Sequence, residues 1–175
     1  MNEEKRVKFV FFWGHRDTKT HITKSCLSQW YHAPFLYNGH RFDTAEHFMM
    51  AEKARLFGDT EKIRQIVSAE NPGKAKALGR EIKDFDQKIW NQNKVDIVIR
   101  GNLEKFSQNP KLGEFLLNTG TRILAEASPV DTIWGTGLAA EDPAIDDPAA
   151  WPGQNLLGFA LMEVRHMLQR RNFFA

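Results

Sequence analysis

FLYNGHRFDTAEHFMMAEKARLFG, residues 35–58, joins two local structures in a single run. Asn38-Gly39 stands between the apolar-flanked arms FLY and HRF. That dipeptide suits a two-residue hairpin turn, because both central positions of the favoured turn need positive φ. Two residues beyond the second arm, Thr44 offers a side-chain oxygen to the open N–H groups of a helix start. The helix it caps carries Ala45, Glu46, His47 and Phe48 in its first turns and stops near Gly58, which suits the left-handed position past a helix end. A hairpin leading straight into a helix predicts an α+β chain.

Outward from this run, VKFVFFW at residues 7–13 reads as a buried strand leading into Gly14, and residues 14–30 read as a loop. Asp59 caps a short helix carrying Ile63, Ile66 and Val67. Asn71-Pro72 starts another through Leu78, since proline is tolerated at the first helical position. A longer helix is expected from Asp86 to Gln108, with Ile89, Trp90, Ile97 and Phe106 among its buried candidates. Pro110 opens a further helix closed near Gly120, and residues 122–127 (RILAEA) read as a strand or an extended segment. Residues 138–153, rich in Ala, Asp and Pro, form a loop long enough for a lid or an inert surface excursion. Residues 155–169 close the chain as an amphipathic helix with Leu157, Leu161, Val164 and Leu168 on one stripe. The expected architecture is a single domain over residues 1–175, mostly helical, with a small β-sheet.

Composition narrows the class. With 175 residues, 42% hydrophobic and 26% charged, the chain supports one core and is not of disordered composition. The net charge of +2, with both signs interspersed, does not by itself call for nucleic acid. Cys26 is the only cysteine, which excludes an intrachain disulfide and a CxxC metal site. No apolar run reaches the roughly 20 residues of a membrane span, and the polar opening MNEEKR lacks a signal peptide's apolar segment. A cytoplasmic location without membrane contact is the expectation. The six histidines include no HExxH pair, and neither a metal nor a cofactor is expected.

Three places carry candidate chemistry. Helical spacing puts Glu46, Met50 (or Met49) and Lys53 on one face, which is either a cleft pair or a solvated stripe. Asp131 opens DTIWGTG on a proline-led loop, where glycines let backbone amides approach a phosphate or sugar, or where the acid simply caps beside a core tryptophan. Trp90, in the polar stretch KIWNQNK, is either core or a stacking surface for a heterocycle. Lys74, Lys76, Arg80 and Lys83 read first as a solvated helix face, and a phosphate contact by one of them is the other reading.

An ordered set of short motifs decides among these readings: Thr44-Ala45-Glu46-His47-Phe48, Ala51-Glu52-Lys53-Ala54, Leu78-Gly79-Arg80, Trp90, Lys105-Phe106, Leu116-Leu117-Asn118-Thr119-Gly120, Ile133-Trp134-Gly135-Thr136-Gly137, Gly153-Gln154-Asn155-Leu156-Leu157-Gly158 and Leu161-Met162-Glu163-Val164-Arg165. Together they resemble the YbiA-like, or NADAR, domain from about residue 10 to 168. The resemblance implies a mostly helical α+β N-glycosidase acting on a small phosphoribosyl molecule, the phosphoribosylamino-pyrimidine intermediates of riboflavin synthesis. It also implies an alternative, removal of ADP-ribose from guanine in nucleic acid. A reading of a different class is a non-catalytic module that binds ADP-ribose or NAD, with Trp90 and Trp134 stacking and the glycines at the phosphates. By motif position it implies Glu46, Trp90 and Asp131 as the catalytic set, with Lys53, Arg80, Trp134, Gly135 and Asn155 as substrate contacts. Lys53 also opens a Schiff-base route, in which its amine attacks an opened sugar. Two departures stand out. Ser28-Gln29-Trp30 replaces the Ser-Asn-Phe common in the family, and Gly153-Gln154-Asn155 replaces Gly-Lys-Asn, removing a candidate phosphate cation. Arg16 and Lys24, in the segment FFWGHRDTKTHITKSCLSQWY, either replace that charge or are exposed loop residues.

Overall fold

The structure is a computed structural model that describes residues 7–18 and 20–173; the opening MNEEKR lies outside the described residues. The hairpin forms as the sequence predicts. β1 (Phe9–Phe12) precedes it, and β2 (Phe35–Tyr37) pairs antiparallel with β3 (His40–Phe42). Asn38 and Gly39 both take positive φ, 48° and 78°, as the tight turn requires. Thr44 then caps α1 (Ala45–Leu56). Its hydroxyl oxygen accepts the His47 N–H at 3.3 Å and lies 2.8 Å from His47 Nδ1, while His47 Nε2 lies 3.0 Å from the Ala69 carbonyl. A carbonyl only accepts, so the proton sits on Nε2 and Nδ1 accepts from Thr44. This ring is therefore committed to holding the start of α1.

Five further α-helices follow among the described residues: α2 (Thr60–Val67), α3 (Pro72–Gly79), α4 (Gln87–Gln108), α5 (Pro110–Asn118) and α6 (Leu156–Phe173), with β4 (Ile123–Glu126) between the last two. The expected caps Asp59 and Asn71 are in place, and Asp86, expected only as a helix start, caps too, the three accepting first-turn N–H groups of α2, α3 and α4. Residues 122–127 resolve into a strand. β4 pairs in parallel with β1, Phe9 opposite Ile123 and Phe12 opposite Glu126, so the expected sheet is two separate two-stranded pieces. Residues 14–30, expected as a loop, contain a 3-10 turn (Lys24–Leu27) that buries Cys26 and Leu27.

α1 is the central helix. It packs against α2, α3 and α4, and Ala45 through Glu52 are all buried. A helix enclosed on every side buries polar residues wherever a cavity or a partner meets them, and Glu46, His47 and Glu52 are those residues here. α4 buries Trp90, Ile97 and Phe106, but Ile89 is 43% exposed, contrary to expectation. One residue turns the helix by about 100°, which carries Ile89 off the stripe that Trp90 occupies. α6 lays Leu157, Leu161, Val164 and Leu168 against the core as expected, and its N-terminal turn crosses β4. Gly158 allows that crossing, because a Cβ there would meet the Leu124 carbonyl and the Asn155 amide.

No described helix is long and apolar enough to cross a membrane.

Candidate active site

A cavity of about 640 Å³ opens where these elements converge. α1 lends its N-terminal face, Glu46, Met49, Met50 and Lys53, the i, i+3, i+4 and i+7 positions of one helical stripe. α3 and its C-cap contribute Lys76 and Arg80, the start of α4 contributes Trp90, and the end of β4 contributes Glu126. Asp131 and Trp134 come from the following loop, and Trp13, His15, Gln29 and Trp30 from the segment after β1. The face of α1 is thus a cleft wall, and Trp90, 9% exposed, is both packed and cavity-lining.

The acids and cations inside it are balanced in number, with Glu46 buried and Lys76 and Arg80 at the exposed edge. Burial pushes Glu46 up to about 7; Lys76 opposes the rise, Asp131 adds to it, and Lys53 and the Trp30 indole oppose it. Burial pushes Glu126 up to about 7 as well, with Asp131 and Glu46 adding and Lys76 opposing. Burial lowers Lys53, while Glu46 raises it and Arg80 lowers it further. Lys53 Nζ donates to the Gly79 carbonyl at 2.8 Å and stands 4.4 Å from the centre of the Phe85 ring and 5.6 Å from that of Trp90. Among the described residues four buried side-chain polar atoms have no hydrogen-bond partner. Gln29 Nε2, Glu46 Oε1 and Glu126 Oε2 belong to cavity-lining residues, and the fourth, Asn102 Oδ1, belongs to the side chain that holds Gln29. Such atoms are costly in a fold, and their concentration in one cavity marks where a polar ligand would satisfy them.

The walls are fixed from behind. The Gln29 carbonyl accepts the Glu46 N–H at 3.0 Å, and the Ser28 carbonyl accepts from Lys105 Nζ at 2.8 Å. Lys105 is 0% exposed, and burial lowers its amine to about 7. Asn102 Nδ2 donates to the Val98 carbonyl at 2.9 Å and to Gln29 Oε1 at 2.8 Å, which leaves Gln29 Nε2 as a free donor. Asp131 Oδ1 accepts the N–H groups of Ile133 and Trp134 at 2.9 and 2.8 Å, closing its loop.

Of the residues singled out in the sequence, Glu46, Trp90, Asp131, Lys53, Arg80 and Trp134 meet in the cavity, whereas Gly135, Asn155 and Arg16 are not among the lining residues. Asn155 is fully buried, its Oδ1 accepting the Glu126 N–H at 3.0 Å and its Nδ2 donating to the Leu124 carbonyl at 3.0 Å. The Gly135 carbonyl accepts the Asn155 N–H at 2.9 Å. The amides of Gly153, Gln154, Leu156 and Leu157 are likewise spent on carbonyls between Thr132 and Thr136, so the turn where the family's lysine is missing is a backbone clasp. Arg16 is exposed beside the lining residue His15. Residues 138–153 line no part of the cavity; Trp151 donates to the Ile145 carbonyl and packs edge-on to Phe9. Sequence reasoning missed Glu126, Trp13 and His15, whereas Gln29 and Trp30, singled out only as a departure from the family pattern, do form part of the wall. Lys76 and Arg80 are exposed, as a solvated helix face requires, and also line the cavity.

Comparison with known proteins agrees with this geometry. The NADAR domain model matches residues 11–169. An N-glycosidase of Acanthamoeba polyphaga mimivirus is 43% identical over 168 residues, 93% of this chain and 98% of that protein. The chloroplastic riboflavin biosynthesis protein PYRR of Zea mays is 35% identical over 130 residues, 70% of this chain but 19% of that longer protein. The NMR structure of the Escherichia coli protein YbiA superposes with a TM-score of 0.77 at 24% identity, covering 96% of this chain and 89% of that one, and has the same fold. The enclosure is an α+β cavity lined by acids, indoles and cations, and this chain belongs to the NADAR domain family. It is an enzyme of the N-glycosidase kind.

Proposed function

We propose that the enzyme hydrolyses the N-glycosidic bond between a phosphorylated ribose and a base-like ring, with phosphoribosylamino-pyrimidines as the substrate class. The observation that carries this reading is Glu46, buried beside Asp131 with Oε1 unpartnered and with Lys53 and Lys76 near enough to hold part of it ionised. Breaking a C1–N bond builds positive charge on the sugar, and a carboxylate at C1 stabilises that charge and takes a proton from the attacking water. Glu46 has this role. The free oxygen of Asp131 holds ribose hydroxyls, Trp90 stacks on the base, and Lys76 with Arg80 binds the phosphate as cations on one wall. The riboflavin biosynthesis name of the maize relative supports the pyrimidine half of the substrate.

A second substrate class, an ADP-ribosyl group on a nucleic-acid base, is favoured by the mouth of the cavity. Trp13 lines it while 60% exposed, and Val130 while 83% exposed, so a second ring can stack at the rim. Product release followed by mass spectrometry separates the two. A ribosylamino-pyrimidine phosphate and an ADP-ribosylated guanine oligonucleotide are each incubated with the wild type and with Glu46→Ala. Release from the first alone supports the metabolite reading, and release from the second alone overturns it in favour of the oligonucleotide. For the mechanism, Glu46→Gln retains binding and loses at least about 100-fold in kcat. A near-normal kcat refutes the role.

A further inference from the structure

We propose that Glu126 is a further catalytic residue, the proton donor to the leaving nitrogen, working opposite Glu46 across the cavity. This rests on the hydrolase reading above and adds the second half of its proton balance.

The geometry comes first. Glu126 ends β4, and its backbone is pinned three ways: its N–H donates to Asn155 Oδ1 at 3.0 Å, and its carbonyl accepts from Ser128 at 2.9 Å and Thr136 at 2.8 Å. A strand end fixed in this manner presents its side chain in one direction, and here that side chain lines the cavity with Oε2 buried and unpartnered. Of the three carboxyl groups in the cavity, Asp131 already uses Oδ1 as acceptor for two backbone N–H groups. Glu46 and Glu126 are the pair left with a buried oxygen free, on different elements facing one space.

Electrostatics then divides the work. The charged groups that bear on Glu126 are Glu46 from α1, Asp131 from the loop after β4 and Lys76 from α3. Burial and the two neighbouring acids favour a proton on it, and Lys76 alone opposes this. Glu46 has Lys53 as well as Lys76 on its side, so it is the better placed of the two to hold the negative charge. Two coupled acids that retain one proton between them supply one acid and one base. The step balances. The C1–N electron pair moves to the leaving nitrogen, which takes the proton from Glu126. Water adds its oxygen to C1 and gives its proton to Glu46. Glu126 ends ionised and Glu46 protonated, and exchange with solvent restores both.

The test is kcat/KM against pH for wild type, Glu126→Gln and Glu126→Asp, on the ribosylamino-pyrimidine phosphate, with binding of that substrate measured by calorimetry. The wild type is expected to give a bell. Glu126→Gln is expected to keep substrate affinity within about threefold, to fall about 100-fold at the optimum and to lose the alkaline limb. Glu126→Asp, which keeps an acid on a shorter arm, is expected to retain that limb at reduced height, and it stands in if the glutamine variant does not fold. An alkaline limb that survives in Glu126→Gln overturns the assignment, as does a loss of affinity with kcat intact. A wild type that binds the substrate and releases no base fails differently: it sinks the ribosylamino-pyrimidine reading, and the role of Glu126 in that reaction with it.

Discussion

Glu46 and Glu126 show how one residue's chemistry opposes its own fold. A buried acid raised to about 7 stabilises the fold fully below its unfolded value of about 4.3, and that contribution is lost as the pH rises through 7. Glu46→Gln removes the ionisation. The variant is therefore expected to be more stable than wild type by about 1–3 kcal/mol at pH 8.5, with the difference shrinking towards zero near pH 4.5. Urea titrations at the two pH values check this, and a difference independent of pH would refute it. Lys53 makes the complementary point. Its amine stands over the rings of Phe85 and of the cavity-lining Trp90, so in the proposed binding mode it meets the base rather than C1. Borohydride added during turnover is expected to leave the intact mass unchanged; a trapped sugar adduct would restore the Schiff-base route. The capped helix start and the helical stripe placed Glu46 and Lys53 on one face, and only the family resemblance chose a cleft over a solvated stripe. Glu126 lacked such a signal, for in RILAEASP a strand-end acid looks like any half-exposed residue until β1 and α6 close around it.

Elements were easier to read than the joints between them. Caps and turns act within a few residues, so Thr44, Asp59, Asn71 and Asp86 announced their helices, and Asn38-Gly39 its hairpin. The parallel pairing of Phe9 with Ile123 has no local cause and left no trace beyond an apolar strand. Asn155 belongs to this middle scale. Between a glycine-led turn and a helix, its amide suits a ligand or a backbone equally well, and only the β4–α6 joint decides. Its φ of 51° is left-handed, which asparagine tolerates. Asn155→Ala strands the Glu126 N–H and the Leu124 carbonyl, and is expected to cost roughly 3 kcal/mol of stability in thermal or urea unfolding. Gly158→Ala forces a methyl against the same carbonyl and amide and is expected to cost about 1–3 kcal/mol. Loss of substrate affinity in Asn155→Ala without loss of stability would instead make it a ligand contact.

At the scale of the whole molecule, the cavity belongs to no single stretch of chain. Its walls come from the segment after β1, from α1, α3 and α4, and from the β4–α6 joint, so forming it requires the complete fold. Lys105 makes that dependence concrete, because its fully buried amine holds the Ser28 carbonyl beside Gln29 and Trp30. Cys26 lies two residues before that contact, with no exposed surface and its thiol pushed up to about 12 by burial. A lone thiol in that position is a stopwatch already installed in the chain. A thiol reagent reaches it only while the segment swings open, so the rate of colour development counts openings of the cavity wall. Saturating substrate, by holding the wall shut, is expected to slow the count by the factor 1 + [L]/Kd, about 100-fold at 100 times Kd. An unchanged rate would mean that the segment opens with the ligand still in place.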